Sequence, residues 1–219
     1  LNRLLLLKQS LFQLPWIFPT LLFIHAALSI KLLYIIVAFF SARVLGMSFN
    51  RLIDREIDAK NPRTSARPLQ RKEISEVQLI GVIFTALIVF FGTSFLINRT
   101  VFALSPLLAL LIVSYSYMKR YTILCHYVLG AVQFFGPFMT VLSVAPEMRL
   151  QGALLGAAVG TLIAGNDILY ACQDQEFDRE EGLYSIPARF GRKMAGKIAM
   201  ATHVVTVLCL FAFGAFFQC

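Results

Sequence analysis

Asn50, Asp54 and Asp58 are spaced i, i+4, i+8, and Asp167, Tyr170, Asp174 and Asp178 follow at i, i+3, i+7, i+11. On a helix each set lies along one face, because residues three and four apart stack one turn above another. Aspartate is a weak helix former and like charges at i, i+4 repel, so two such ladders are costly without a cation. An all-oxygen donor set suits a hard ion, and Mg²⁺ in particular binds through a few carboxylates plus substrate phosphates. Two such ladders facing each other would hold two Mg²⁺ ions with a polyphosphate between them. Glu56, Glu73, Glu76, Glu180 and Glu181 read instead as solvated faces.

Cations surround both ladders. Arg63 and Arg67 follow the first in P-R-T-S-A-R-P, where prolines stiffen the chain and a guanidinium fork suits phosphate oxygens. Arg51, Arg55, Lys119, Arg120, Arg189 and Arg192 gather on the same side and read first as topology determinants. Arg43 stands seven residues before Asn50, about 10 Å deeper by helix rise. It either snorkels to the interface or presents a two-pronged donor to a carboxylate. His25, His126 and His203 read as isolated, satisfied packing residues with no role. The four cysteines, Cys125, Cys172, Cys209 and Cys219, read as small hydrophobes.

The elements that must carry these residues are set by composition. The chain of 219 residues is 58% hydrophobic and 15% charged, against about 45–50% and about 25% in soluble domains. One small core cannot bury that surface, which excludes a soluble enzyme, a disordered chain and a disulfide scaffold. Seven apolar runs are long enough to cross a membrane: 11–30, 32–49, 77–97, 100–117, 123–145, 150–171 and 198–217. Two long charged loops, 50–76 and 173–197, separate some of them. Sixteen of the twenty Lys and Arg fall in the N-terminal tail, these loops and the Lys119–Arg120 turn. The positive-inside rule puts that side in the cytoplasm, and the net charge of +8 then reports topology rather than nucleic-acid binding. Asp54, Glu56 and Asp58 match Asp174, Glu176 and Asp178 at a constant offset of 120 residues, so the chain reads as a four-helix repeat. It starts at Leu1 and stops in an apolar run, and at least one further C-terminal helix is expected.

The stretches N-R-L-I-D-R-E-I-D-A-K-N-P-R-T-S-A-R-P-L and D-I-L-Y-A-C-Q-D-Q-E-F-D-R-E-E-G-L-Y-S-I-P-A-R-F-G resemble the UbiA superfamily of intramembrane prenyltransferases. They are most similar to its 4-hydroxybenzoate polyprenyltransferase-like branch. The resemblance runs from L-F-Q-L-P-W to the last span and covers 1–219 as a single membrane domain. It implies an all-α fold of nine transmembrane helices around a central cavity. It further implies transfer of an allylic prenyl group from its diphosphate to an aromatic acceptor. By position, Asn50, Asp54 and Asp58 form the first metal–diphosphate motif and Asp174 and Asp178 the second. Asp167 and Tyr170 lie further into the membrane and are candidate catalytic residues, Asp167 because an ionisable group within a span is a functional signal. Arg43, in A-R-V-L-G-M-S-F-N-R, and Lys119–Arg120, in Y-S-Y-M-K-R, also match family positions. Many members continue the first motif as R-P-L-x-x-G, where this chain has R-P-L-Q-R-K, a departure at the turn after Leu69.

In the chemistry this implies, two Mg²⁺ neutralise the diphosphate as its C–O bond breaks, and an electron-rich ring attacks the allylic cation. Water is kept out by burial below the loops. Tyr115, Tyr117, Tyr170 and Phe135 are candidates to face the cation. The expected partners are a polyprenyl diphosphate, an aromatic acid and membrane lipid, in the inner (plasma) membrane, in quinone biosynthesis. A dihydroxynaphthoate acceptor, as in menaquinone formation by the futalosine route, is the alternative within the family. A membrane transporter is the alternative outside it, although the charges gather at one membrane face and no Gly/Pro-broken helix pair recurs in the two halves.

Overall fold

The computed structural model describes residues 30–216, so the expected span 11–30 lies outside the described residues save Ile30. The order is α1 (Ile30–Ile53), α2 (Arg55–Lys60), α3 (Glu76–Ile97), α4 (Arg99–Met118), α5 (Cys125–Val144), α6 (Arg149–Ala171), α7 (Gln175–Glu180) and α8 (Ile186–Ala215). Short 3₁₀ turns at Pro146–Met148 and Cys172–Asp174 lead into α6 and α7, and no strand occurs among the described residues. Among the described residues, six helices are long and apolar enough to span a membrane. The chain is an all-α integral membrane protein.

Contacts divide it after Ser116 into two compact units. In the first, α1 packs on α3. The buried residues of α1 (Ile35, Ala38, Ser41, Leu45, Ser48 and Arg51) recur every three or four positions and make one helical seam. The rest of each helix stays apolar outward, with Val77, Phe84, Ile88 and Phe95 of α3 exposed, as a lipid-facing surface requires. A Ser75–Gln78 capping box starts α3, each side chain satisfying the other's backbone N–H.

In the second unit α6 packs between α5 and α8. The α5–α6 crossing is made by glycine. A Cβ on Gly130 would stand 2.6 Å from the Gly160 carbonyl oxygen, and one on Gly160 the same distance from that of Gly130. Only bare backbones approach this closely, the usual device where apolar burial gives helices no reason to associate in lipid.

Two expectations need correction. The charged stretches 50–76 and 173–197 are not loops throughout. The first begins inside α1 and contains α2; the second contains α7 and the start of α8. The last span, expected from 198, belongs to α8, in which two helical segments meet at Gly191 (φ 78°), the first opening at Ile186 with Ser185 accepting from Ala188 N–H. Its first turns carry Arg189, Arg192 and Lys193, and their charge hides them from a search for apolar runs.

Candidate functional site

The first ladder straddles an elbow. Helix α1 ends at Ile53, Asp54 takes φ −90°, ψ 11°, and α2 resumes at Arg55. The hydrogen bonds Asp54 N–H to Asn50 O (2.9 Å) and Asp58 N–H to Asp54 O (2.7 Å) keep the i, i+4 register across it. The shared face is therefore real. Asn50 Nδ2 donates to Asp54 Oδ2 at 2.7 Å, and Arg67 pairs with the Asp58 carboxylate. These contacts answer the repulsion expected along the ladder.

The second ladder repeats the elbow. Asp174 takes φ −101°, ψ 10°, and α7 spans Gln175–Glu180, the counterpart of Arg55–Lys60 at the offset of 120 residues. Both aspartates thus occupy the sparsely populated bridge region, where active-site residues are common. Neither side chain caps the short helix that follows it. Asp174 and Asp178 are buried, the latter 1% exposed. Lys119 Nζ stands 3.5 Å from both Asp178 oxygens. Burial alone would lower the Lys119 pKa, but Asp178, with smaller contributions from Cys125, Asp167 and Asp174, raises it above the ordinary lysine value.

The segment after each elbow is tied down by its own backbone. Thr64 Oγ1 donates to Asp58 O (2.9 Å) and Arg63 N–H to Asn61 Oδ1 (2.9 Å), which fixes the P-R-T-S-A-R-P stretch beside the ladder. Gln70 Nε2 reaches back to Arg55 O at 3.1 Å. Lys72, at the glycine position of R-P-L-x-x-G, holds φ 57°, so the turn keeps a left-handed conformation without glycine. In the second unit Leu183 N–H bonds Asp178 O (2.7 Å) and Tyr184 N–H bonds Lys119 O (2.6 Å).

The remaining expected residues are placed as follows. Arg43 lies half-buried on α1 two turns before Asn50, and Arg63 is exposed. Arg120 lies over the Tyr117 ring, 5.8 Å from its centroid. Tyr170 is half exposed on α6, whereas Phe135 is buried within a ring cluster with Phe134 and Phe138, which makes it a packing residue. His126 corrects the reading of isolated histidines. It is fully buried, and its Nδ1 lies 2.7 Å from Asp167 Oδ2. An ionisable residue within a membrane span is itself a functional signal, and that rule, applied to Asp167, extends to His126.

No three His, Cys, Asp or Glu side chains converge into a metal shell among the described residues. Each elbow by itself offers only amide and carboxylate oxygens, from Asn50, Asp54 and Asp58 in the first unit and from Asp174 and Asp178 in the second, donors of the kind that suit a hard cation.

The chain is 32% identical over 166 residues to a 4-hydroxybenzoate octaprenyltransferase of Serratia proteamaculans, an overlap covering 76% of this chain and 57% of that protein. It is 29% identical over 157 residues to the enzyme of that name from Shewanella pealeana, covering 72% and 54%. The chain thus spans little more than half the length of these relatives. A UbiA homologue from Aeropyrum pernix superposes with a TM-score of 0.86 at 29% identity, over 94% of this chain and 80% of that one. An Archaeoglobus fulgidus homologue solved with DMAPP and Mg²⁺ shares the fold at a TM-score of 0.73 and 23% identity, over 95% and 75%. The model of the UbiA prenyltransferase family matches residues 10–218, and the chain belongs to that family.

Proposed function

We propose that the protein transfers a polyprenyl group from its diphosphate to an aromatic acid of the 4-hydroxybenzoate type, dependent on Mg²⁺, in quinone biosynthesis. The observation that carries this reading is the repeated acidic elbow, with Asp54 and Asp174 in matching backbone conformations 120 residues apart. The names of the curated relatives support the acceptor class.

Asn50, Asp54, Asp58, Asp174 and Asp178 are the magnesium ligands. Bound there, two Mg²⁺ would supply charge neutralisation and a template for the departing diphosphate. Arg63, Arg67, Lys119 and Arg120 bring their positive charge to its oxygens, the arginines as planar forks and Lys119 as a point charge. Pairing with Asp58 and Asp178 holds Arg67 and Lys119 in place beforehand. Arg43, deeper on the Asn50 face of α1, takes the acceptor's carboxylate. Tyr170, one turn before Asp174, offers an aromatic face to the allylic cation. The acidic elbows lie on the cytoplasmic side of the inner membrane, as the distribution of Lys and Arg supports.

Incubating the full-length protein with a long prenyl diphosphate, Mg²⁺ and either 4-hydroxybenzoate or a dihydroxynaphthoate, with mass analysis, tests the acceptor. A prenylated benzoate supports the reading. Product from the naphthoate alone transfers the acceptor to the other acid, and no product from either overturns prenyl transfer to an aromatic acid.

A further inference from the structure

We propose that His126 is a positioning residue that presents Asp167 as the acceptor of the proton lost from the aromatic ring. The inference rests on the prenyl-transfer reading above. It starts from the two faces of one imidazole. Ile186 N–H, the first of α8, points at His126 Nε2 at 3.4 Å. A helix's first N–H groups have no partner inside the helix, so this one turns to the ring nitrogen, which must keep its lone pair to accept. The ring proton of neutral His126 therefore sits on Nδ1 and is donated to Asp167 Oδ2 at 2.7 Å. The imidazole is 0% exposed, and its orientation follows from these two contacts.

Asp167 is thereby committed on one oxygen only. Its Oδ1 has no hydrogen-bond partner among the described residues, and its side chain is 24% exposed while that of His126 is 0%. A carboxylate one turn before the end of an apolar helix, fixed through one oxygen and with no described partner at the other, is placed to exchange a proton at that second oxygen. It lies seven residues before Asp174, about 10 Å deeper by helix rise. That places it toward the acceptor end of a substrate whose diphosphate is held at the Asp174 elbow. The step balances. The prenyl C1–O bond breaks with its electron pair leaving on the diphosphate, C1 joins a ring carbon, and that carbon's proton passes to Asp167 Oδ1 and on to water. His126 cannot take that proton at Nε2 while Ile186 N–H occupies it.

The Gly130–Gly160 crossing supplies the approach: His126 lies one turn before Gly130, and Asp167 about two turns after Gly160.

The test uses the full-length protein in lipid with Mg²⁺, a prenyl diphosphate and 4-hydroxybenzoate. It compares His126→Leu, His126→Asn, Asp167→Asn and the Leu/Asn double variant, each with a thermal melt. His126→Leu should lower kcat at least about tenfold while the KM for the prenyl diphosphate moves less than about twofold. His126→Asn, whose amide N–H occupies the place of Nδ1–H, should restore most of kcat. In the Asp167→Asn background His126→Leu should cost nothing more, because the residues act through one contact. Wild-type kcat in His126→Leu overturns the inference. So does failure of Asn to restore kcat in a folded variant, or an undiminished loss in the Asp167→Asn background. Absence of prenylated product from the wild-type protein overturns the underlying reading as well, which separates the two failures.

Discussion

Replacing Arg43 with lysine keeps the charge but removes the two-pronged donor. If the guanidinium holds the acceptor's carboxylate, Arg43→Lys should lower acceptor kcat/KM about 10²-fold and leave the apparent affinity for the prenyl diphosphate unchanged. Steady-state kinetics with each substrate varied in turn checks this. The opposite pattern would give Arg43 to the diphosphate. Lys119 yields a pH prediction. Its pKa is raised, with Asp178 and its neighbours outweighing burial. The stability it contributes is therefore whole below the ordinary lysine value of about 10.4 and fades only as pH climbs through the higher folded one. The Tm difference between wild type and Lys119→Met should be flat from neutral pH to about pH 10 and shrink above that. At this scale the sequence was informative where chemistry repeats at short spacing, as in the Asn50–Asp54–Asp58 ladder. It singled out Asp167 but was silent on its pairing with His126, 41 residues away in sequence, because their meeting depends on a helix crossing.

That crossing is the element-scale feature most open to test. Gly130→Ala would place a methyl group 2.6 Å from the Gly160 carbonyl oxygen, whereas a Cβ on Gly136, two turns on, meets nothing within 4 Å. Gly130→Ala should cost about 1–3 kcal/mol, as overpacking does, and Gly136→Ala should be close to neutral; thermal unfolding in detergent measures both. The spans from 77 to 171 were legible from apolar length because lipid demands it. The elbows were not, since Asp54 breaks α1 while its backbone hydrogen bonds preserve the i, i+4 spacing. The start of α8 was hidden for another reason: the short segment before Gly191, which carries Arg189, is helical through capping by Ser185 and a proline in the first turn, not through apolar content. The departure at R-P-L-Q-R-K marked a real backbone feature, the left-handed turn at Lys72.

For the whole molecule, the charge distribution predicts orientation. A reporter inserted in 61–68 or 181–184 should lie on the cytoplasmic side, and one at Pro146–Met148 on the other. A far-side signal from either acidic segment would overturn the orientation. If both elbows serve one magnesium–diphosphate reaction, Mg²⁺-dependent prenyl transfer in two single variants shows it most plainly. Asp54→Asn and Asp174→Asn each remove one charged ligand while leaving the adjoining helices intact. Each alone should cut turnover at saturating Mg²⁺ by at least about a hundredfold, and exposed Glu181→Gln should leave it near wild type. Near-normal turnover in either aspartate variant would contradict that shared role.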